Sequence, residues 1–231
     1  MWPMTRAAAA PAGTVQAKRS PPQLLNRVDH LVYATPDLEL GIERIHEVLG
    51  IRAATGGSHP GRGTRNALVA LGTTSYLEII GPDPDQPAPA GGRPFRIDAL
   101  KAPALVAWAA KGQKLDALAA DAKTRGVALG PVVDGSRKRP DGVTLAWRYT
   151  DPRTVVAEGV VPFFIDWGAS PHPARTAAAG ATLVALRAEH PNPARARAAL
   201  AALGIDLPVA RARRAGLVAT IESPKGLVDI R

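Results

Sequence analysis

The chain has 231 residues, 46% of them hydrophobic but only 4% aromatic, with a formal net charge of +9 and no cysteine. That length allows one large domain or two small ones with a full core, which must be built from Ala, Val, Leu and Ile. The missing cysteine excludes disulfides, thiolate metal sites and a Cys nucleophile, and no apolar run approaches the roughly 20 residues of a membrane span.

Heavy use of Ala, Arg, Gly and Pro is typical of a GC-rich genome, so the net charge is weak evidence for an acidic partner. Arg187, Arg195, Arg197, Arg211, Arg213 and Arg214 make the C-terminal part basic. Charge alone gives only non-specific, salt-dependent affinity for nucleic acid. No recognised nucleic-acid motif accompanies it, so no specific nucleic-acid partner and no membrane partner is expected.

Residues 1–25 read as a disordered or leader-like tail: Arg6, Lys18 and Arg19, no acid, and Ala/Pro-rich filler. Val28 to Ala34 alternates as a strand, with Asp29, Leu31 and Tyr33 on one face and His30, Val32 and Ala34 on the other. Thr35-Pro36-Asp37 opens a helix whose stripe is Leu38, Ile42, Ile45 and Leu49, and Gly50 ends it. Ile51 to Ala54 suggests a short strand, and the stretch from Gly56 to Gly63 is too rich in Gly and Pro for regular structure. Thr64 to Leu71 and Ser75 to Ile80 are strands, the second with Tyr76, Glu78 and Ile80 on one face.

The pattern then recurs. Strands are expected over 104–110, 143–149 and 162–167, a helix over 114–125 closed by Gly126, and a turn from Ser136 to Gly142. A third round places strands over 182–188, 207–211, 216–222 and 227–230, with a helix from Asn192 to Leu203 closed by Gly204. Each helix ends in Gly followed by a β-branched residue (Gly50-Ile51, Gly126-Val127, Gly204-Ile205), and each closing strand carries an acid (Glu78, Asp166, Asp229). Three matches in the same order predict an internal repeat. The fold class is therefore α+β, with three suspected βαβββ modules at 26–83, 103–168 and 181–231, joined by linkers at 84–102 and 169–180.

The stretches Asp29-His30-Leu31-Val32-Tyr33-Ala34-Thr35-Pro36-Asp37-Leu38, His59-Pro60-Gly61-Arg62-Gly63-Thr64-Arg65-Asn66 and Tyr76-Leu77-Glu78-Ile79-Ile80-Gly81-Pro82 resemble the vicinal-oxygen-chelate superfamily. Its members include glyoxalase I, extradiol dioxygenases and bleomycin-resistance proteins. Together with Ser136 to Gly142 and Phe163 to Gly168, the chain looks more narrowly like the bacterial glyoxalase-like domain proteins, from Arg27 to its end. The resemblance implies paired βαβββ modules forming curved mixed sheets around a cleft. In the superfamily's metal enzymes the first and last strand of each module supply ligands. His30 and Glu78 fall on those positions, and Asp166 on the last-strand position of the second module. The second module's first-strand position falls near Ala107 or Trp108, and the third's near Val184 or Ala185, none of which binds metal.

One imidazole and two carboxylates from His30, Glu78 and Asp166 suit Mn²⁺, Fe²⁺, Ni²⁺ or Zn²⁺, which would stabilise a developing enolate as a Lewis acid. Glu78 is alternatively the base; the other readings are a metal-free ligand cleft that uses the same residues, with no cofactor, and a blander, purely structural His30–Glu78 hydrogen bond between adjacent strands. Around the stretch His59 to Asn66, Gly57, Gly61 and Gly63 let the backbone approach a ligand beside Arg62 and Arg65, a mix that suits a carboxylate or phosphate. Arg137 and Arg139 in the second module's turn are placed to hold the same anion. Trp147 shares parity with Val143 and Leu145 and reads as core, His172 as exposed in a Pro-rich linker, and His190 as structural at a helix start. The expected function is a cytoplasmic enzyme of lyase, isomerase or dioxygenase type acting on a small anionic metabolite, with a homo-oligomer left open. The alternatives are a non-catalytic binding or resistance-type protein and an interaction subunit.

Overall fold

The computed structural model of the chain describes residues 20–231. The tail expected over 1–25 falls outside the described residues as far as residue 19. From Ser20 onward the chain is anchored. Ser20 Oγ donates to Leu186 O and accepts from Leu186 N, and helix α1 (Pro22–Arg27) buries Leu24.

The first module runs β1 (Val28–Ala34), α2 (Leu38–Leu49), β2 (Ala54–His59), β3 (Thr64–Ala70) and β4 (Tyr76–Pro82). The second runs β5 (Ala104–Lys111), α3 (Leu115–Thr124), β6 (Val132–Lys138), β7 (Thr144–Thr150) and β8 (Phe163–Asp166). In each, the first strand pairs parallel with the last, and the last three pair antiparallel in succession. The two modules close into one barrel, ordered β1-β4-β3-β2-β6-β7-β8-β5. The closure is unequal. β1 and β5 pair antiparallel through six register positions, whereas β2 and β6 meet only at Ser58 opposite Lys138.

The third unit keeps the chain order but not the sheet order. Its β9 (Thr182–His190), α4 (Pro193–Ala202), β10 (Val209–Arg211), β11 (Gly216–Ser223) and β12 (Gly226–Ile230) form a separate sheet, β10-β9-β11-β12. Here the first strand lies between the second and third, and the last is at an edge. The expectation of three like modules thus holds for the order of elements along the chain, and for sheet order only in the two that share the barrel. The acid-and-glycine signature registers chain order, not strand pairing.

Local chemistry explains most boundaries. Asp37 rather than Thr35 caps α2, accepting from Leu40 N at 3.0 Å, and Gly50 closes it at φ 72°. Leu38, Ile42, Ile45 and Leu49 are buried, each burial being worth roughly 2 kcal/mol before conformational entropy is charged. Every residue of β1 is buried because the strand is covered on both faces. Leu31 and Tyr33 join the large core shared with α2 and the third sheet, while Val32 and Ala34 join a second cluster inside the barrel.

Two expectations fail for the same reason. Gly56 to His59 of the Gly-rich stretch read as irregular lie in β2, while Pro60 to Gly63 form a turn as expected, and the turn read at Ser136 contains the end of β6. Neighbouring strands satisfy backbone groups that local propensity leaves unpaired. β2 accommodates its glycines with a bulge at Gly56, seen as a register shift between Thr55 and Gly57. Among the described residues no helix is long and apolar enough to cross a membrane.

Candidate functional site

The barrel encloses a cavity of about 420 Å³. One wall is polar and comes from the first module: His30 on β1, His59 on β2, Thr64 and Asn66 on β3, Tyr76 and Glu78 on β4. Alternation along β1 and β4 aims His30, Tyr76 and Glu78 inward while Leu31, Leu77 and Ile79 pack outward. The facing wall comes mainly from the second module, with Arg137, Trp147, Tyr149, Phe163, Ile165 and Trp167.

Asp29 and His30 are consecutive, so a regular strand would send them to opposite faces. The register between Val28 and His30 slips by one against β5, making Asp29 a bulged residue. Its carboxylate meets His30 Nδ1 at 2.8 Å, accepts from Trp167 Nε1 at 3.1 Å and meets His172 Nε2 at 3.2 Å. Burial would raise Asp29's pKa, but the hydrogen bonds with His172 and His30 outweigh it and hold the group at about 2. An ionised Asp29 only accepts, so His30 carries a proton on Nδ1 and turns Nε2 toward the cavity. That nitrogen lies 3.8 Å from Glu78 Oε2, too far for the strand-to-strand hydrogen bond of the blander reading.

A second chain of contacts crosses the cavity floor. Arg137 Nη1 donates to Asn66 Oδ1 at 2.9 Å, and Asn66 Nδ2 donates to Glu78 Oε1 at 2.5 Å. The guanidinium can only donate, which fixes the amide's orientation, so Asn66 Nδ2 also points its second proton at His59 Nε2, 3.3 Å away. His59 Nδ1 meets Thr64 Oγ1 at 3.0 Å. Burial, above all, lowers His59 to about 4, with Glu78 opposing and Arg137 assisting, so His59 is neutral near pH 7. Burial also raises Tyr76 well above the ordinary phenol range, reinforced by Glu78.

Of the residues expected to hold ligand, His30, His59, Arg62, Asn66, Glu78 and Arg137 converge on the cavity. Arg62 sits over the Tyr149 ring, 5.7 Å from its centroid, and donates to Asp134 O at 3.2 Å. Arg65 and Arg139 do not converge. The alternate parity of β3 sends Arg65 outward to Glu39 at 3.6 Å, and Arg139 lies past the end of β6, paired with Asp141 at 2.6 Å. Asp166 is also outside: Ile165 and Trp167 line the cavity, and Asp166 Oδ1 instead accepts from Gly168 N at 3.0 Å.

The ligand set His30, Glu78 and Asp166 is therefore not assembled, and among the described residues no group of three or more His, Cys, Asp or Glu is arranged to hold a metal ion. The buried Arg137 guanidinium, linked through Asn66 to Glu78, disfavours a second cation at the same carboxylate. The side chains present do not fit a resident divalent ion held by those three residues.

Sequence reading missed Asp29, His172 and the aromatic wall. His172, expected to be exposed, is tucked against Asp29, Tyr76 and Trp167, and Trp147, expected in the core, lines the cavity. His190 is buried against Glu158, Nε2 to Oε2 2.6 Å, as a structural reading requires. No local signal announces the Asp29 bulge, since it arises from pairing with a strand about 80 residues later.

Gly56 gives the site a sharp steric condition. A Cβ there would overlap Asn66 Oδ1 and the Arg137 guanidinium. Gly56→Ala is expected to lower stability by about 1–3 kcal/mol, and to weaken binding of small carboxylates about tenfold by shifting Arg137. Urea unfolding and carboxylate titration check this, and wild-type values for both would show that the bulge has slack.

A barrel closed from two βαβββ modules around a small-molecule cavity is the architecture of the vicinal-oxygen-chelate superfamily. A family model described as a glyoxalase-like domain matches residues 28–204, well over half of the sequence, and the chain belongs to that family. No curated protein matches the sequence significantly. Among solved structures, a hypothetical protein from Staphylococcus aureus superposes with a TM-score of 0.61 at 12% identity, covering 82% of this chain and 87% of that one. That likeness is one of fold. A methylmalonyl-CoA epimerase from Mycobacterium tuberculosis gives a TM-score of 0.41 at 21% identity, over 63% of this chain and 90% of that one. A Streptomyces coelicolor methylmalonyl-CoA epimerase variant in complex with 2-nitronate-propionyl-CoA gives 0.43 at 21% identity, over 64% and 99%.

Proposed function

We propose that the protein is a proton-transfer enzyme of isomerase or lyase type, acting on a small anionic metabolite with an acidic carbon beside a carbonyl. The observation that carries this reading is the Asp29–His30 pair. It engages Nδ1 and leaves Nε2 facing the cavity, 3.8 Å from a second proton carrier, Glu78.

In this scheme His30 Nε2 takes the proton from carbon, the C–H bonding pair becomes the C=C bond, and the carbonyl π pair moves to oxygen to give an enolate. Asp29 stabilises the imidazolium that results, as a buried carboxylate behind a base does. Arg137 and Arg62 supply positive charge on the opposite wall for the substrate's anionic group and the developing enolate. The proton returns to carbon from His30 or Glu78 in isomerisation. In a lyase reaction the electron pair instead expels a leaving group from the neighbouring carbon.

The test is solvent exchange. The purified protein is incubated in D₂O with a panel of 2-oxo acids and acyl thioesters, and loss of the α-proton signal is followed by NMR. Catalysed exchange of at least one anionic member, absent for its neutral analogue, is the expected result. Ligand binding with no exchange anywhere in the panel would replace this reading with a sequestering one. Exchange that depends on added Mn²⁺, Fe²⁺, Ni²⁺ or Zn²⁺ and is lost to chelator would replace it with a metal-assisted one.

A further inference from the structure

The chain has four Trp, three Tyr and three Phe, and six of these ten, Tyr76, Phe95, Trp147, Tyr149, Phe163 and Trp167, line the single cavity just described. Three of the six, Tyr76, Tyr149 and Phe163, are buried, and Tyr149 and Phe163 belong to the apolar cluster inside the barrel. The large core that joins α2, α3 and the third sheet to the barrel contains only Tyr33, Trp108 and Phe164 among its aromatic side chains, beside many Ala, Val, Leu and Ile. Packing accounts for part of this concentration, and the ring surface that stays open to the cavity calls for a further reason.

The rings form one continuous wall. Phe95 and Phe163 are 5.9 Å apart between centroids, Phe163 and Tyr149 6.3 Å, Tyr149 and Trp147 6.2 Å, and Trp147 and Trp167 5.0 Å. Phe95, Trp147 and Trp167 are only half-buried, so ring surface is left open to the cavity. Gly135 on β6 allows this arrangement, because a Cβ there would overlap the Trp147 indole. Arg62 lies over Tyr149, the middle ring of the wall, and the buried Arg137 lines the same cavity from β6.

A cavity that combines an open aromatic wall with two guanidinium groups is complementary to a ligand carrying both a ring and an anion. Aromatic pairs gain from edge and offset contacts beyond the area they bury, which an aliphatic chain of equal bulk does not. A cavity of about 420 Å³ is within the range that holds a small cyclic ligand. We infer that the site takes carboxylates bearing an aromatic ring, the ring against Phe163, Tyr149 and Trp147 and the carboxylate toward Arg62 and Arg137. The inference rests on the same cavity as the proton-transfer reading and adds the substrate class.

Three stable probes test it by calorimetric titration: 3-phenylpropionate, hexanoate as its ringless counterpart, and 3-phenylpropionamide as its neutral one. The phenyl acid is expected to bind at least tenfold more tightly than either. Trp147→Leu with Phe163→Leu should remove the preference over hexanoate, and Arg62→Gln should reduce the preference over the amide. Equal or tighter binding of hexanoate to the wild-type protein overturns the inference, and so does failure of all three to bind; neither outcome depends on a variant folding. The two readings fail separately. A ring preference with no deuterium exchange sinks the proton-transfer reading alone, whereas catalysed exchange confined to aliphatic acids sinks the aromatic assignment alone.

Discussion

Replacing His30 with Gln is expected to slow deuterium exchange about 10²–10⁴-fold, the usual contribution of a positioned general base, while carboxylate affinity changes little. The separation follows from the geometry. His30 meets its neighbours through Asp29 at 2.8 Å and by stacking on Tyr76 at 4.7 Å, whereas positive charge comes from Arg62 and Arg137 on the facing wall. Gln keeps a polar group against Asp29 and fills much of the same volume, so the loss should appear in the rate of the bound complex. Asp29→Asn should act more mildly and in a diagnostic way. It leaves His30 in place but removes the charge that fixes the proton on Nδ1. Exchange should fall. Wild-type exchange in the His30 variant would falsify the assignment outright.

Acid should weaken the fold well before it reaches ordinary carboxylates. His59 is held at about 4 against a reference of 6.5. The unfolded chain therefore takes up a proton below pH 6.5 that the folded chain refuses until about pH 4, and stability falls with pH across that window. The loss is on the order of 3 kcal/mol from this residue. Glu78, Arg137 and Arg62 face His59, and only Glu78 favours its protonation. Asp29 adds a second, lower window. Its carboxylate is held at about 2 against 3.8, so stability present above pH 4 drains away toward pH 2, by about 2 kcal/mol. Urea unfolding at pH 7, 5.5 and 4.5 checks the first window. His59→Gln should flatten the curve there, and an unchanged slope in that variant would assign the acid sensitivity elsewhere.

Much of the barrel is legible from side-chain periodicity. Alternation in β1 and β4 places His30, Glu78 and Tyr76 inward without any tertiary information, and Gly50, Gly126 and Gly204 all adopt the positive φ expected after a helix. What cannot be read locally is whatever depends on pairing partners. Gly56 and Gly57 look like loop residues until β3 and β6 are placed beside them, and Arg65 and Arg139 look like ligand-binding residues until strand parity and the end of β6 are known. The third unit is the clearest case. Gly204, the acid Asp229 and the order of elements repeat the earlier pattern, yet long-range pairing puts β9 between β10 and β11. Asp166 fails as a cavity residue for a smaller reason: the inward positions of β8 are taken by Phe163 and Ile165.

The unequal closure of the barrel has a mechanical consequence. Separating the modules along β1 and β5 breaks a ladder of six register pairs along the fully buried β1, whereas separating them along β2 and β6 breaks one. The first edge therefore behaves as the hinge and the second as the clasp. Most of what fastens the clasp is side chain: Arg137 reaches Asn66 and Arg62 reaches the carbonyl of Asp134. These arginines are the same ones that face the cavity, so a bound anion competes with the fastening for their hydrogen bonds. Filling the cavity and loosening its seam are thus coupled, and the molecule can breathe at the edge where its contents are recognised.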